Sequence, residues 1–254
     1  MSAIFAVILA KNEARHIGAC IDSVQWADAV MLSDSHSDDD TADIAAAKGA
    51  HVRQHRFVNF SVNRNLALTD AGNAGAEWVF FIDADERATP ELAAEIKAVV
   101  RQEMAGWWVP RYNVMWGHTI KGGGWYPDRQ LRLLKVGRAA YDPSREVHEI
   151  VRLDGPAGVL REHLIHYNYD SPAHFHAKQQ RYIQFEARIL HNRGIRAKPW
   201  TYLSMPLREF YRRYIRLRGY RDGWMGLHLC GLMAWYTYKT YLSLRRLYSE
   251  EETR

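Results

Sequence analysis

The chain has 254 residues, 47% hydrophobic and 25% charged, which excludes a disordered protein and suits one α/β domain with an appendage, or at most two small domains. No run of about 20 apolar residues occurs, so an obvious spanning helix is excluded as well. The net charge of +5 is uneven: residues 199–248 carry nine Arg/Lys against Glu209 and Asp222, a local +7 that suits a surface meeting something anionic.

Ile4–Ala10 is a continuous apolar run of strand length, the pattern of a parallel strand buried on both faces. Before it, Met1–Ala6 lacks a basic n-region, and Lys11 and Glu13 interrupt the apolar run, which predicts a cytosolic face. Ile17, Cys20, Ile21 and Val24 follow at helical spacing. Ala29–Leu32 reads as a second strand, Ser33–Thr41 as a polar turn, and the Ala-rich segment to about Lys48 as a helix. Val52 marks a short third strand. Ser61–Ala71 is predicted helical, with Val62, Leu66 and Leu68 as core residues. Trp78–Ile82 is the fourth strand, and Thr89-Pro90 opens another helix with Thr89 as its N-cap. This β-α alternation predicts a mostly parallel sheet with flanking helices.

After Trp107 the pattern shifts to shorter, more aromatic strands at Trp107–Tyr112, Val114–Ile120 and Gln130–Leu134, with a turn-rich Lys121–Asp128 between the last two. From Pro172 the chain becomes helical and rich in Tyr and Arg. The expected division is 1–170 for the α/β domain (a nucleotide-binding half to 105, an acceptor half from 106) and 171–254 for a helical extension. Cys20 and Cys230 form no C-x-x-C pair and are expected as buried apolar side chains.

Ligands of an open parallel sheet bind beyond the carboxyl ends of its strands. Three acidic clusters fall at such ends: Asn12-Glu13, Asp34 with Asp38–Asp40, and Asp83-Ala84-Asp85-Glu86. Carboxylates gathered in one crevice repel unless a cation or hydrogen-bond donors offset them. Hard Mg²⁺ or Mn²⁺ with a nucleotide diphosphate does both. In the D-x-D, Asp83 can face a ribose while Asp85 reaches the metal; the plainer reading is a strand-end Asp capping the next turn. Gly122-Gly123-Gly124-Trp125 lacks the lysine and the strand-to-helix setting of a phosphate loop, leaving a flexible loop that presents Trp125 to a sugar, or a plain hairpin turn.

Val7–Glu13, Ser33–Thr41 and Phe81–Glu86 together resemble, in order and spacing, the donor-site blocks of inverting family 2 glycosyltransferases of the GT-A (Rossmann-like) fold. Pro127–Leu133, Val147-His148-Glu149 and Leu164–Tyr167 look like the branch that extends the lipopolysaccharide inner core, the WaaE/KdtX-like β-1,4-glucosyltransferases. The resemblance implies a UDP-sugar donor with Mg²⁺ or Mn²⁺, and a lipid-linked saccharide acceptor, the lipopolysaccharide core. A polyprenyl phosphate or a capsule or exopolysaccharide intermediate is the alternative acceptor, and a nucleotide-sugar sensor without catalysis the non-enzyme alternative. It further implies that Ala10, Asn12, Glu13 and Asp34 hold the uracil and ribose with Arg64, that Asp83 and Ala84 continue that wall, and that Asp85 and His166 take the metal. His166 ends a short apolar run, where a satisfied core histidine competes with the ligand reading. Inversion needs a base for the acceptor hydroxyl. Glu149 holds that position in the resembling branch, with Asp128 and His148 next in line. Arg181, with His174, His176 and Lys178, either contacts the diphosphate or forms a solvated basic face.

Residues 199–248 interleave their nine cations with twelve aromatics, and Gly223–Tyr238 holds no Asp, Glu, Lys or Arg over 16 residues, short of a bilayer span. Trp and Tyr beside Arg suit a membrane interface, so the extension is expected to attach peripherally to the anionic inner face of the cell membrane. The competing reading packs its aromatics as core, with Arg stems over apolar surface. Nucleic acid is not expected, because no nucleic-acid motif accompanies the patch.

Overall fold

The computed structural model describes residues 2–143, 150–169 and 171–252. By compactness these form two units, Met1–Arg111 with Asp128–His166, and Tyr112–Pro127 with Tyr167–Arg254.

In the first unit, β1 (Ile4–Ala10), α1 (Ala14–Ser23), β2 (Ala29–Asp34), α2 (Thr41–Ala47), β3 (His51–Gln54), α3 (Phe60–Asn73) and β4 (Trp78–Asp83) alternate as the sequence predicts. β5 (Glu86–Ala88) and α4 (Pro90–Val99) follow. β6 (Gly106–Met115) is one long strand that turns at Trp116-Gly117 into β7 (His118–Ile120), where two separate strands were expected. β8 (Asp128–Lys135), β9 (Ala139–Tyr141), β10 (Val151–Leu153), β11 (Ala157–Val159) and β12 (Leu164–Tyr169) complete the strands. The order across the main sheet is β3-β2-β1-β4-β8-β6-β12-β5. The first four strands run parallel, whereas β8 pairs antiparallel with both β4 and β6. The α/β class is therefore as expected, with an antiparallel half added.

Side-chain alternation along β1 explains why the parallel strands read as unbroken apolar runs. Ile4, Ala6 and Ile8 face one core with Val30, Leu32, Phe80 and Ile82, under Ile17 and Ile21 of α1 and Leu92 and Ile96 of α4. Phe5 and Val7 face the other core with Met31, Val79 and Phe81, under Ala67, Leu68 and Ala71 of α3. Both faces are covered, so no polar side chain is tolerated until the strand ends. α4 begins as its cap predicts: the Thr89 side chain accepts a hydrogen bond from Leu92 N–H at 3.2 Å.

α3 departs from expectation. Leu68 is buried, but Val62 is only partly so and Leu66 is exposed; Ser61, Asn63 and Arg64 are buried instead. Its inward face is partly polar because Arg64 lines the site cavity and Asn63 ties down the preceding loop, accepting from Val58 N–H at 3.0 Å and donating to the Arg56 carbonyl at 3.4 Å.

In the second unit, α5 (Pro172–Asn192), α6 (Thr201–Tyr211) and α7 (Gly223–Glu252) supply the helical extension; a π-helical turn at Arg212–Arg216 and a 3-10 turn at Gly219–Asp222 join α6 to α7. Phe175 and Ile183 of α5 pack with Leu229 and Tyr236 of α7, Met115 and Ile120. Gly122, Gly219 and Gly226 permit close backbone approach. A Cβ on Gly122 would sit 2.2 Å from the Arg218 carbonyl oxygen, and one on Gly226 would sit 1.9 Å from that of Gly219. In the glycine run at 122–124, Gly122 serves tight backbone packing, and Gly123 and Gly124 take positive φ of 65° and 89°.

Candidate active site

The donor-side residues meet at the carboxyl ends of β1, β2 and β4. Asn12 leaves β1 with a positive φ of 58°, a conformation asparagine tolerates better than most residues. Its N–H donates to Ser37 Oγ at 2.9 Å, and its own Oδ1 accepts from Asp38 N–H at 2.8 Å. The same turn caps α1, whose Glu13 makes no side-chain cap: Thr41 Oγ1 accepts from Glu13 N–H and Asp39 from Ala14 N–H. Asp34 is fully buried at the end of β2, its carboxylate accepting both N–H and hydroxyl of Ser37 and the Gln54 amide. Asn12 and Asp34 therefore build the rim of the site from behind.

A cavity of about 570 Å³ opens inside this rim, of a size suited to a small ligand. Ala10, Glu13, Arg64, Asp83, Ala84, Asp85 and His166 all line it, so seven of the expected site residues converge there. Lys11, Ser35, Arg111, Phe57 and Phe60 line it too, and the sequence reading missed their part. Phe57 and Phe60 stand edge to face with centroids 5.1 Å apart, both exposed. A large aromatic in the short connection between β3 and α3, and another opening α3, were the available signal.

Asp83 ends β4 amid three cations. Arg64 donates to its Oδ1 at 3.2 Å and Arg132 at 3.1 Å, and Arg132 donates a second bond to Oδ2. Behind it Glu86, with no exposed side-chain surface, accepts from Asp83 N–H at 2.9 Å, from Arg111 at 2.6 Å and from Arg132 at 3.2 Å. Arg111 also binds Asp128 through two donors, at 3.0 and 2.7 Å. Three guanidinium groups thus balance three carboxylates, which is how the buried Glu86 and the partly exposed Asp83 and Asp128 share one crevice. Burial disfavours the Asp83 carboxylate, but the guanidiniums of Arg132 and Arg64 outweigh it and hold this carboxyl well below the usual range. Arg132 is correspondingly raised despite its burial, through Asp83 and Glu86.

Asp85 lies outside that network. β12 pairs antiparallel with β5 so that His166 stands opposite Glu86, and this register brings His166 Nε2 to 3.3 Å from Asp85 Oδ2. The Asp85 side chain is 35% exposed and His166 13%. A carboxylate and an imidazole side by side at a cavity wall make a suitable donor pair for a cation that takes its remaining ligands from phosphate oxygens. Among the described residues no cluster of three His, Cys, Asp or Glu is assembled for a metal.

Trp125 is in the second unit, partly buried, with the Arg213 guanidinium 4.9 Å from its ring centre and its carbonyl accepting from Asn113 at 2.8 Å. Arg181 is exposed on α5 of the same unit. Asp128 is engaged by Arg111 and Gln130. Glu149 and His148 lie outside the described residues. Cys20 and Cys230 are buried free thiols, as expected; burial pushes the Cys20 thiol up and raises that of Cys230 to about 11.

A curated relative, the lipopolysaccharide core biosynthesis glycosyltransferase LpsC of Rhizobium meliloti (strain 1021), is 29% identical over 236 residues, covering 89% of this chain and 83% of that protein. An uncharacterized glycosyltransferase of Rickettsia felis is 37% identical over 100 residues, 39% of this chain and 34% of that one. Among solved structures, glucosyl-3-phosphoglycerate synthase from Mycobacterium tuberculosis, in complex with Mn²⁺, UDP and glucosyl-3-phosphoglycerate, aligns with 78% of this chain and 82% of its own at 18% identity and a TM-score of 0.47. The family model for glycosyl transferase family 2 matches residues 5–167, and it is to this family that the chain belongs.

Proposed function

We propose that this glycosyltransferase moves a hexose, glucose on the resemblance of its acceptor-side motifs, from a UDP-sugar to the inner core of lipopolysaccharide, with inversion, at the cytoplasmic face of the membrane. The observation that carries the donor half is the Asp85–His166 pair, 3.3 Å apart in a cavity that Ala10, Glu13 and Arg64 also line. The LpsC relative, spanning most of both chains, supports the acceptor half.

In this reading Ala10, Glu13 and Arg64 receive the uridine, with Asp34 and Asn12 fixing the rim behind them. Asp83, held ionised by Arg132 and Arg64, accepts the ribose hydroxyls. Asp85 and His166 would hold Mg²⁺ or Mn²⁺, which when bound supplies positive charge to the departing diphosphate. Glu149 takes the proton from the acceptor hydroxyl as that oxygen attacks the anomeric carbon. An ionised Asp83 already neutralised by arginine adds little repulsion to an incoming anion, so diphosphate and carboxylates share one crevice.

Nucleotide release from a panel of UDP-sugars, with Mn²⁺ or Mg²⁺ and with or without truncated lipopolysaccharide, tests the proposal. The expected result is acceptor-stimulated UDP release, greatest with UDP-glucose. Acceptor-stimulated release with polyprenyl phosphate alone would reassign the acceptor, and uridine nucleotide binding with no turnover on any acceptor would make the chain a sensor. For the base, Glu149→Gln should abolish turnover while nucleotide-sugar binding stays within about twofold of wild type; near-normal turnover would remove Glu149 from the role.

A further inference from the structure

α6 packs its inner face through Tyr202 and Met205 against Tyr241 and Leu244 of α7, yet none of its eleven residues is fully buried. Its outer face is divided into two stripes. Leu203, Leu207, Tyr211 and, past the π-helical turn, Ile215 recur every four residues and are 46–67% exposed. One residue behind each of the last three stand Arg208, Arg212 and Arg216, all exposed. At 3.6 residues per turn the apolar stripe and the basic stripe occupy adjoining arcs of one side of the helix. Trp200 begins the apolar stripe, and Tyr220 and Trp224 (77% exposed) continue the exposed aromatics beyond exposed Arg218 and Arg221. The acids of this segment are turned to internal work. Glu209 is bound by Arg212 and Arg213, and Asp222 accepts the Lys121 N–H at 2.7 Å.

We propose that this double stripe, residues 200–224, is the surface by which the protein lies in the plane of an anionic lipid bilayer, with Leu203, Leu207, Tyr211 and Ile215 entering the headgroup–acyl boundary and Arg208 and Arg216 meeting lipid phosphate, while Arg212 is held by Glu209. The inference rests on the membrane location in the proposed function and narrows it to one element. Charge complementarity selects the partner. A cationic stripe free of exposed acid needs an anion, and aliphatic side chains such as Leu203, Leu207 and Ile215 gain from hydrocarbon but cannot stack on bases. α7, by contrast, buries Leu229, Cys230 and Tyr236 within its uncharged stretch and Tyr241 and Leu244 beyond it, so most of its apolar face is spent on packing, with Trp224 and Trp235 left exposed. Among the described residues no helix is long and apolar enough to cross a membrane, consistent with in-plane attachment.

Flotation of the full chain with vesicles of phosphatidylcholine and phosphatidylglycerol in about 3:1 ratio tests this, alongside vesicles of phosphatidylcholine alone. The wild type is expected to float with the anionic vesicles only, and to be released by salt. L203D/L207D should lower partitioning by about tenfold or more, and Arg208→Gln and Arg216→Gln by about fivefold each. All three variants should retain the far-UV circular dichroism of wild type and its rate of UDP release from UDP-glucose with a soluble, delipidated acceptor. Wild-type flotation unchanged by L203D/L207D would overturn the assignment to α6 while leaving membrane attachment standing. Failure of the wild type to float would overturn both. Tight binding of a single-stranded oligonucleotide that anionic vesicles do not displace would replace lipid by nucleic acid. Flotation with no UDP release would leave this surface standing and count against the catalytic reading.

Discussion

Glu86 shows how closely the acidic motif is bound into the fold. It has no exposed side-chain surface, and its two oxygens serve Arg111, Arg132 and the Asp83 N–H. Glu86→Gln removes the charge but leaves both guanidiniums buried, so stability should fall by about 3–5 kcal/mol in denaturant titration. A loss below about 1 kcal/mol would mean that Asp83 and Asp128 suffice to neutralise the arginines. Asp83 gives a pH prediction. Its native carboxyl titrates below the unfolded value of about 3.9, because Arg132 and Arg64 overcome the cost of burial. Its contribution is complete above about pH 4 and is lost as pH falls toward the native value. Wild-type Tm should therefore drop more steeply than that of Asp83→Asn as pH is lowered from about 5 to 2, and parallel curves would contradict the ion-pair account. Asp83 and Asp85 were legible as a pair because a polar motif closing an unbroken apolar strand has no packing reason to be there. Arg111 and Arg132 were not, because an arginine in a strand announces no partner until the strands pair. β8 and β6 bring these two to Asp83 and Glu86 over gaps of 49 and 25 residues.

Among the elements, the parallel strands were the easiest to read, since burial on both faces leaves nothing but apolar residues from Ile4 to Ala10 and from Trp78 to Ile82. The three-residue strands β5, β7, β9, β10 and β11 carry too few residues to show a period. Yet β5 matters most for the site, because its pairing with β12 sets His166 beside Asp85. α3 misled for the opposite reason: it buries Ser61, Asn63 and Arg64, of which Arg64 lines the cavity and Asn63 ties down the preceding loop, so its apolar residues alone do not mark its inner side. The extension divides between the two readings it was given, α7 serving as core and α6 exposing its apolar stripe. Leu229→Ala in α7 should cost about 2–5 kcal/mol, and Leu203→Ala in α6 no more than about 0.5 kcal/mol, measured by urea unfolding. Similar losses at both positions would mean that the Leu203 side chain is covered in solution.

For the whole molecule, the net +5 arises because residues 199–248 carry +7, leaving the remainder slightly acidic. That remainder holds the acidic crevice where the family's chemistry is expected, while the basic surplus sits on helices carrying exposed aromatics. The composition thus sets an acidic crevice apart from a basic, aromatic-bearing surface, the two features on which the proposed donor site and the proposed membrane contact rest. The central claim is that Asp85 and His166 form the cation-binding wall of a nucleotide-sugar site. Its most direct test is isothermal titration of UDP with and without Mn²⁺, for wild type, Asp85→Ala and His166→Ala. The account predicts that Mn²⁺ tightens UDP binding to wild type by about tenfold or more, and that each substitution removes that gain while leaving the metal-free affinity within about threefold. An undiminished Mn²⁺ effect in both variants would contradict it.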